Sequence, residues 1–382
     1  MKTLHESEKE LPYVARRGAV LRKVRGAHVK AVLISCPEDV GYLSGFTGDD
    51  SFLLMGEAGR GDSSRPAQWV CLITDGRYSE QANKECRGIE VHVHRGQLPE
   101  AVAALLKGRR VRRLAVQAEH LTLQRRSVLE KGLKGKSLVG IDDLVKDLRQ
   151  IKDAVEVKAI RKAIRVAENA FRTLLAGGLR GFVGRTERQV AAELDYQMRL
   201  AGADRPAFET IVAAGAHGSL PHYRPGETRI RRGQPVLIDW GARVQGYCSD
   251  LTRVVLLGRI PPKLVRIYQV VLRAQAAGMA AVRPGISGKT ADAAARKVVE
   301  AAGYGQQFVH GLGHGLGREV HEGPSLGRFS GMRLRAGMVV TVEPGIYLPG
   351  VGGVRIEDDV LVGSDGQRRL SSLPRALAAM TL

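Results

Sequence analysis

A two-domain protein of mixed helix and strand is predicted, with an α/β layer domain over residues 1–150 and an α+β domain over 151–382. Three observations carry this. At about 150 residues per domain, a chain of 382 residues has room for two. Residues 27–148 alternate short β-rich runs with helical patterns, the signature of an α/β layer with at least partly parallel strands. From about Asp153 the grammar changes: helices are followed by strand pairs, and that order occurs twice, giving two similar halves.

The elements follow in order. AVLISC (31–36), SFLLM (51–55), WVCLIT (69–74), IEVHVH (89–94) and LAVQ (114–117) are short runs rich in β-formers. GRYSEQANKECRG, LPEAVAALLKG and TLQRRSVLEKGLKG between them read as helices. GEAGRGDSSRPAQ (56–68) reads as a surface loop. Val157, Ile160, Ile164, Ala167, Phe171 and Leu174 repeat at helical spacing, and glycines at 177–178 end that helix. A second helix runs from about Thr186 to Leu200. VLIDWGARV (236–244) and GYCSDLTRVVLLG (246–258) are joined so tightly that an antiparallel hairpin is expected. Helices near 262–280 and 288–302 then precede strands at MVVTVEP (338–344) and GVRIEDDVLV (353–362). GISGKT (285–290) is not a phosphate loop, because Arg283 stands where that pattern needs glycine; it reads as a helix start capped by Ser287 or Thr290.

Composition narrows the function. Hydrophobic residues at 44% and charged residues at 26% exclude disorder as the main state. Aromatic residues at 5% leave few rings for stacking single-stranded bases. The net charge of +20 attracts anions but says nothing of fold. KGRRVRR (107–113) is read as a solvated basic turn, and no specific nucleic-acid partner is expected. The cysteines at 36, 71, 86 and 248 form no C-x-x-C pair, which fits reduced thiols in a cytoplasmic protein. The N-terminus lacks an apolar signal region and no run of about 18 apolar residues exists, so neither signal peptide nor membrane partner is expected.

Four acidic residues carry the chemistry. Asp239 lies in VLIDWG, Asp250 in YCSDLTR, Glu343 at the end of VVTVEPG and Glu357 in GVRIEDD, each inside a run that should be half-buried. A buried carboxylate needs a cation or strong donors. A salt bridge to Arg253 or Arg355 would satisfy any one of them. Four together, with the glycine-flanked His314, fit a metal site better, because their charge matches two divalent cations. Oxygen and imidazole ligands favour Mn, Fe, Co or Zn over Ca.

These motifs resemble the aminopeptidase P/prolidase family of dinuclear metallopeptidases. The matching segments are IDWGARVQGYCSDLTR, HGLGHGLGREVHEGP, VTVEPGIYLPG and GVRIEDDVLV, with PEDVGYLSGFTGDDSFLL and ITDGRYSEQAN resembling the creatinase-type N-terminal domain; together they span roughly residues 14–370. The resemblance implies a creatinase-type domain over 1–150 and a pita-bread catalytic domain over 151–382. It places the metal ligands on Asp239, Asp250, His314, Glu343 and Glu357. It makes Glu343 the general base as well, His321 and His222 the donors to the developing oxyanion, and His310 and Arg355 substrate contacts. Two divalent ions are implied, manganese first, with cobalt or zinc as alternatives, and a homodimer is expected. His217 departs from the family's usual Asn and is read as capping a turn, while Trp240 replaces a smaller or Phe residue as packing.

The implied activity is hydrolysis of the bond before proline in a peptide with proline second. Aminopeptidase is favoured over Xaa-Pro dipeptidase on two grounds. No Arg or Lys beyond Arg355 can be placed in the pocket to hold a terminal carboxylate, and the short GIYLPGVGG link suggests an open rim. A basic binding protein on the same fold is the remote alternative; it would require lost ligands, and none is lost.

Overall fold

A computed structural model describes residues 4–57, 68–107 and 109–382. Most of the expected surface loop at 56–68 lies outside the described residues. Two compact units divide between Leu148 and Arg149.

The first unit begins with helix α1 (Leu4–Gly26), which the sequence reading did not anticipate. It continues with β1 (Ala31–Ile34), α2 (Pro37–Ser44), β2 (Ser51–Glu57), β3 (Gln68–Thr74), α3 (Ser79–Glu85), β4 (Glu90–Val93), α4 (Leu98–Leu105), β5 (Arg113–Gln117), α5 (Leu123–Gly132), β6 (Ser137–Ile141) and the single turn α6 (Lys146–Arg149). The six strands form one sheet in the order β4-β3-β2-β1-β5-β6. Its β3–β4, β1–β5 and β5–β6 pairs are parallel and its β1–β2 and β2–β3 pairs antiparallel. Alternating side chains feed two cores: Val32, Ile34, Leu53 and Met55 enter one, Ala31, Leu33, Phe52 and Leu54 the other. Burial on both faces explains why these strands read as unbroken apolar runs.

The second unit opens with α7 (Ala154–Ala176). Asp153 caps it by accepting from the N–H groups of Val155 and Glu156, both at 2.9 Å. α8 (Glu187–Leu200) starts in the same way from Thr186. Next come β7 (Arg205–Pro206), β8 (Ile211–Ala214), β9 (Pro235–Trp240), β10 (Ala242–Val244), β11 (Tyr247–Cys248) and β12 (Leu251–Leu256). α9 (Pro262–Ala281) and α10 (Gly288–Ala301) come after them, the latter capped by Ser287. The chain ends with β13 (Gly313–Gly315), β14 (Glu322–Leu326), β15 (Val339–Val342), β16 (Gly345–Leu348), β17 (Gly352–Arg355), β18 (Asp358–Val362) and β19 (Gln367–Arg369).

Two sheets of this unit hold the acidic segments: β12-β9-β8 and β14-β13-β15-β18-β19. The expected hairpin over 236–258 is split. β9 pairs antiparallel with β12, while β10 and β11 form their own short ladder. The run GVRIEDDVLV also divides: β17 pairs with β16, β18 pairs with β15, and Glu357 falls in the break. Trp240 is packing, as expected: it is buried, stacks on Phe171 with ring centroids 4.3 Å apart, and donates to the Ala167 carbonyl. All four cysteines are free and buried, and Cys248 Sγ donates to the Arg318 carbonyl at 3.6 Å. Among the described residues no helix is long and apolar enough to cross a membrane.

Candidate metal centre

The strand ends converge on a cavity of about 590 Å³. Asp239 is the penultimate residue of β9, and opposite it on β12 stands Thr252. Asp250 immediately precedes β12. His314 is the middle residue of β13, where both flanking glycines are forced: a Cβ on Gly313 would lie 2.1 Å from the Thr341 carbonyl oxygen, and one on Gly315 would lie 2.1 Å from that of Gly323. Glu343 follows β15 and is fixed by its N–H, which donates to the Leu312 carbonyl at 2.8 Å. Glu357 occupies the break between β17 and β18, its N–H donating to the Thr252 carbonyl at 3.2 Å.

The side chains meet. His314 Nε2 lies 3.2 Å from Glu343 Oε1 and 3.6 Å from Asp250 Oδ2. Asp250, His314 and Glu357 each bring a ligand atom within 4.8 Å of the others. The Thr252 hydroxyl donates to Glu357 Oε2 at 2.6 Å and accepts from Arg355 Nε at 3.1 Å. Arg355 also pairs with Asp239 and donates to the Tyr347 hydroxyl. His310 Nε2 meets the same hydroxyl at 2.8 Å, and the His321 ring lies 4.2 Å from that of His314, centroid to centroid. His222 lines the cavity with them, so all nine residues singled out from the sequence share one wall.

The carboxylates strain against one another. Burial, and then neighbouring carboxylates, push Asp250 and Glu357 well above the ordinary range. Burial also raises Asp239, with Arg355 opposing. Glu343 goes the other way: burial disfavours its charge, but the His314 hydrogen bond and charge prevail and hold it down to about 2. His314 is raised despite burial, by Glu343. One oxygen of Asp239, Oδ1, is buried with no hydrogen-bond partner. Surplus negative charge and an orphaned acceptor are what a divalent cation site requires, and the oxygen-plus-imidazole donor set fits one.

Several working residues escaped the sequence reading. Thr252 and Tyr347 tie the carboxylates to Arg355 but look like ordinary strand residues. His217 does more than cap a turn: its Nδ1 lies 2.9 Å from the buried Glu187, and its ring stacks on Tyr223. Arg224 lines the cavity, which corrects the expectation that Arg355 is the pocket's sole cation. Its place two residues after His222 was the available signal. Arg253 serves none of the four carboxylates; it pairs with Asp358 at 2.8 Å.

A creatinase-type domain followed by a pita-bread domain with this cluster defines a metal-dependent peptidase. The chain belongs to Metallopeptidase family M24, which matches residues 158–364, and residues 16–151 match the Creatinase/Prolidase N-terminal domain. An Xaa-Pro dipeptidase of Pyrococcus horikoshii is 43% identical over 65% of this chain and 70% of its own. Among solved structures, an Xaa-Pro dipeptidase from Bacillus anthracis superimposes with a TM-score of 0.90 at 35% identity, covering 97% of this chain and 100% of that one. An X-Pro aminopeptidase from Thermotoga maritima gives 0.84 at 36%, covering 93% and 99%.

Proposed function

We propose that this peptidase is an Xaa-Pro dipeptidase, rather than the aminopeptidase the sequence favoured. Arg224 carries the reading. A dipeptidase must hold the free carboxylate of its terminal proline, and Arg224 supplies a cation in the cavity wall. Its resting partner is Glu209 at 3.4 Å, and both side chains are largely exposed, at 84% and 66%. Such a pair is worth at most about 1 kcal/mol, so a substrate carboxylate displaces Glu209 at little cost. Arg355 cannot serve, being buried and engaged by Asp239 and Tyr347. The relatives named as dipeptidases point the same way.

Asp239, Asp250, His314, Glu343 and Glu357 would hold the divalent ions, manganese first. When bound, such ions supply Lewis acidity and bring the ionisation of water towards neutral pH. Glu343, kept ionised beside His314, accepts the proton of the attacking water and delivers it to the departing proline nitrogen. His321 and His222 donate hydrogen bonds to the oxyanion that grows on the scissile carbonyl. Arg355, through Asp239 and Thr252, keeps the carboxylates in place.

The test compares kcat/KM for Ala-Pro and Ala-Pro-Ala with the wild type and Arg224→Ala. The dipeptide should lead by about tenfold or more, and Arg224→Ala should erase that lead by raising KM for Ala-Pro. A preference for the tripeptide restores the aminopeptidase.

A further inference from the structure

The loop that carries His222 and Arg224 closes on a single buried carboxylate that does not itself line the cavity. Glu187, fully buried in the first turn of α8, accepts four hydrogen bonds from that loop. Oε1 takes the N–H of Ala214 at 2.8 Å and faces His217 Nδ1 at 2.9 Å. Oε2 takes the Tyr223 hydroxyl at 2.7 Å and the Gly226 N–H at 3.4 Å. The backbone repeats the grip: the N–H groups of Glu187 and Arg188 donate to the carbonyls of Thr228 and Gly226, both at 3.1 Å. Among the described residues no Lys or Arg pairs with Glu187. Its two oxygens are satisfied by these donors at the start of α8.

We propose that Glu187 is the positioning residue of the substrate loop, and that Tyr223 and His217 are its means of gripping it. The inference rests on the dipeptidase reading where it concerns Arg224. The two ends of segment 214–226 and two side chains within it all terminate on one carboxylate, so the segment moves as a unit or not at all. Tyr223 and His217 stack with ring centroids 4.5 Å apart and planes 25° from parallel, which adds a contact between the turn at 215–219 and the extended stretch after it. Tyr223 sits between His222 and Arg224, and both of those are exposed to the cavity. Fixing Tyr223 therefore fixes the residues on either side of it. An arginine on a loose loop would lose side-chain and backbone freedom on meeting a carboxylate; a clamped loop has lost the backbone part in advance.

The test uses the metal-loaded full chain with Glu187→Gln, Tyr223→Phe, Arg224→Ala and the double variant Tyr223→Phe/Arg224→Ala. Tyr223→Phe keeps the stack and removes only the hydroxyl, so it stands in should Glu187→Gln fail to fold. Amide exchange over 214–226 should accelerate in Glu187→Gln and Tyr223→Phe while the rest of the second unit and the metal content stay unchanged. KM for Ala-Pro should rise about tenfold in Glu187→Gln, and less in Tyr223→Phe, with kcat moving less than KM. Adding Tyr223→Phe to Arg224→Ala should cost less than Tyr223→Phe costs by itself, because Tyr223 acts in part through Arg224, the remainder passing through His222. Unchanged exchange, or effects of Tyr223→Phe and Arg224→Ala that simply multiply, overturns the proposal. An Arg224→Ala protein indifferent to either peptide overturns the dipeptidase reading instead, and the exchange rates then decide the brace by themselves.

Discussion

Glu357 and Asp358 are adjacent in the chain and equally buried, yet they stand in opposite electrostatic company. Glu357 shares its surroundings with Asp239, Asp250 and Glu343. Asp358 meets the Arg253 guanidinium at 2.8 Å, the Ser371 hydroxyl at 2.6 Å and the Gln275 amide at 3.0 Å. Two further arginines, Arg369 and Arg375, lie within 4 Å of it. A buried carboxylate whose counter-charge is covalently part of the chain belongs to the fold. A set of carboxylates that outnumbers the cations beside it needs an ion from outside.

The comparison can be broken most directly by exchanging each residue for alanine. Glu357→Ala should abolish activity, by a factor of about 10³ or more, and reduce bound metal, while the metal-free protein unfolds no more easily than wild type because one of several repelling charges is gone. Asp358→Ala should do the reverse. It strands Arg253 without its carboxylate, at a cost of about 3–5 kcal/mol, and the second unit should melt roughly 10 °C lower. Equal melting points for the two variants would dissolve the distinction. Next in size is Glu343→Gln, which should retain part of the metal and lose most of kcat, at least about a hundredfold, because an amide cannot take the proton. A loss below tenfold removes Glu343 from that role.

The smallest effect sharpens the balanced side. Glu322 is buried against Arg149 and Lys152, in contact with the first and 3.3 Å from the second. Burial opposes its charge, but these cations win and hold its carboxyl below the ordinary 4.5. A depressed acid stabilises the folded state fully above its unfolded value and progressively less as pH falls towards its folded value. The melting-point gap between wild type and Glu322→Gln should therefore be complete at pH 7 and narrow below about pH 4.5. A gap that widens in acid contradicts the assignment.

The metal ligands were legible because each carboxylate interrupts an apolar strand, and an interruption of that kind is local. Their partners were not. Thr252 reaches Glu357 across 105 residues and Arg253 reaches Asp358 across the same span, so no window of sequence holds both ends. Glu187 looked like an ordinary acid in a first helical turn, where such residues are common. Helix α1 went unread because charged residues and Pro12 fill its first half, and only Val20, Leu21 and Val24 near its end mark a helical stripe. The division of GVRIEDDVLV was hidden because both halves are strands; only pairing with different partners separates them.

The four buried thiols carry a consequence for watching the protein come apart. Burial pushes Cys71 and Cys86 in the first unit, and Cys248 in the second, up to about 12, so these three present no thiolate to a reagent at neutral pH. A thiol-specific dye reaches them only through an opening of the surrounding structure. Because Cys248 is the single thiol of its unit, its labelling rate is a clock for that unit alone, and the thiols at 36, 71 and 86 time the other. The native chain thus carries its own pair of independent probes, with no engineered cysteine required.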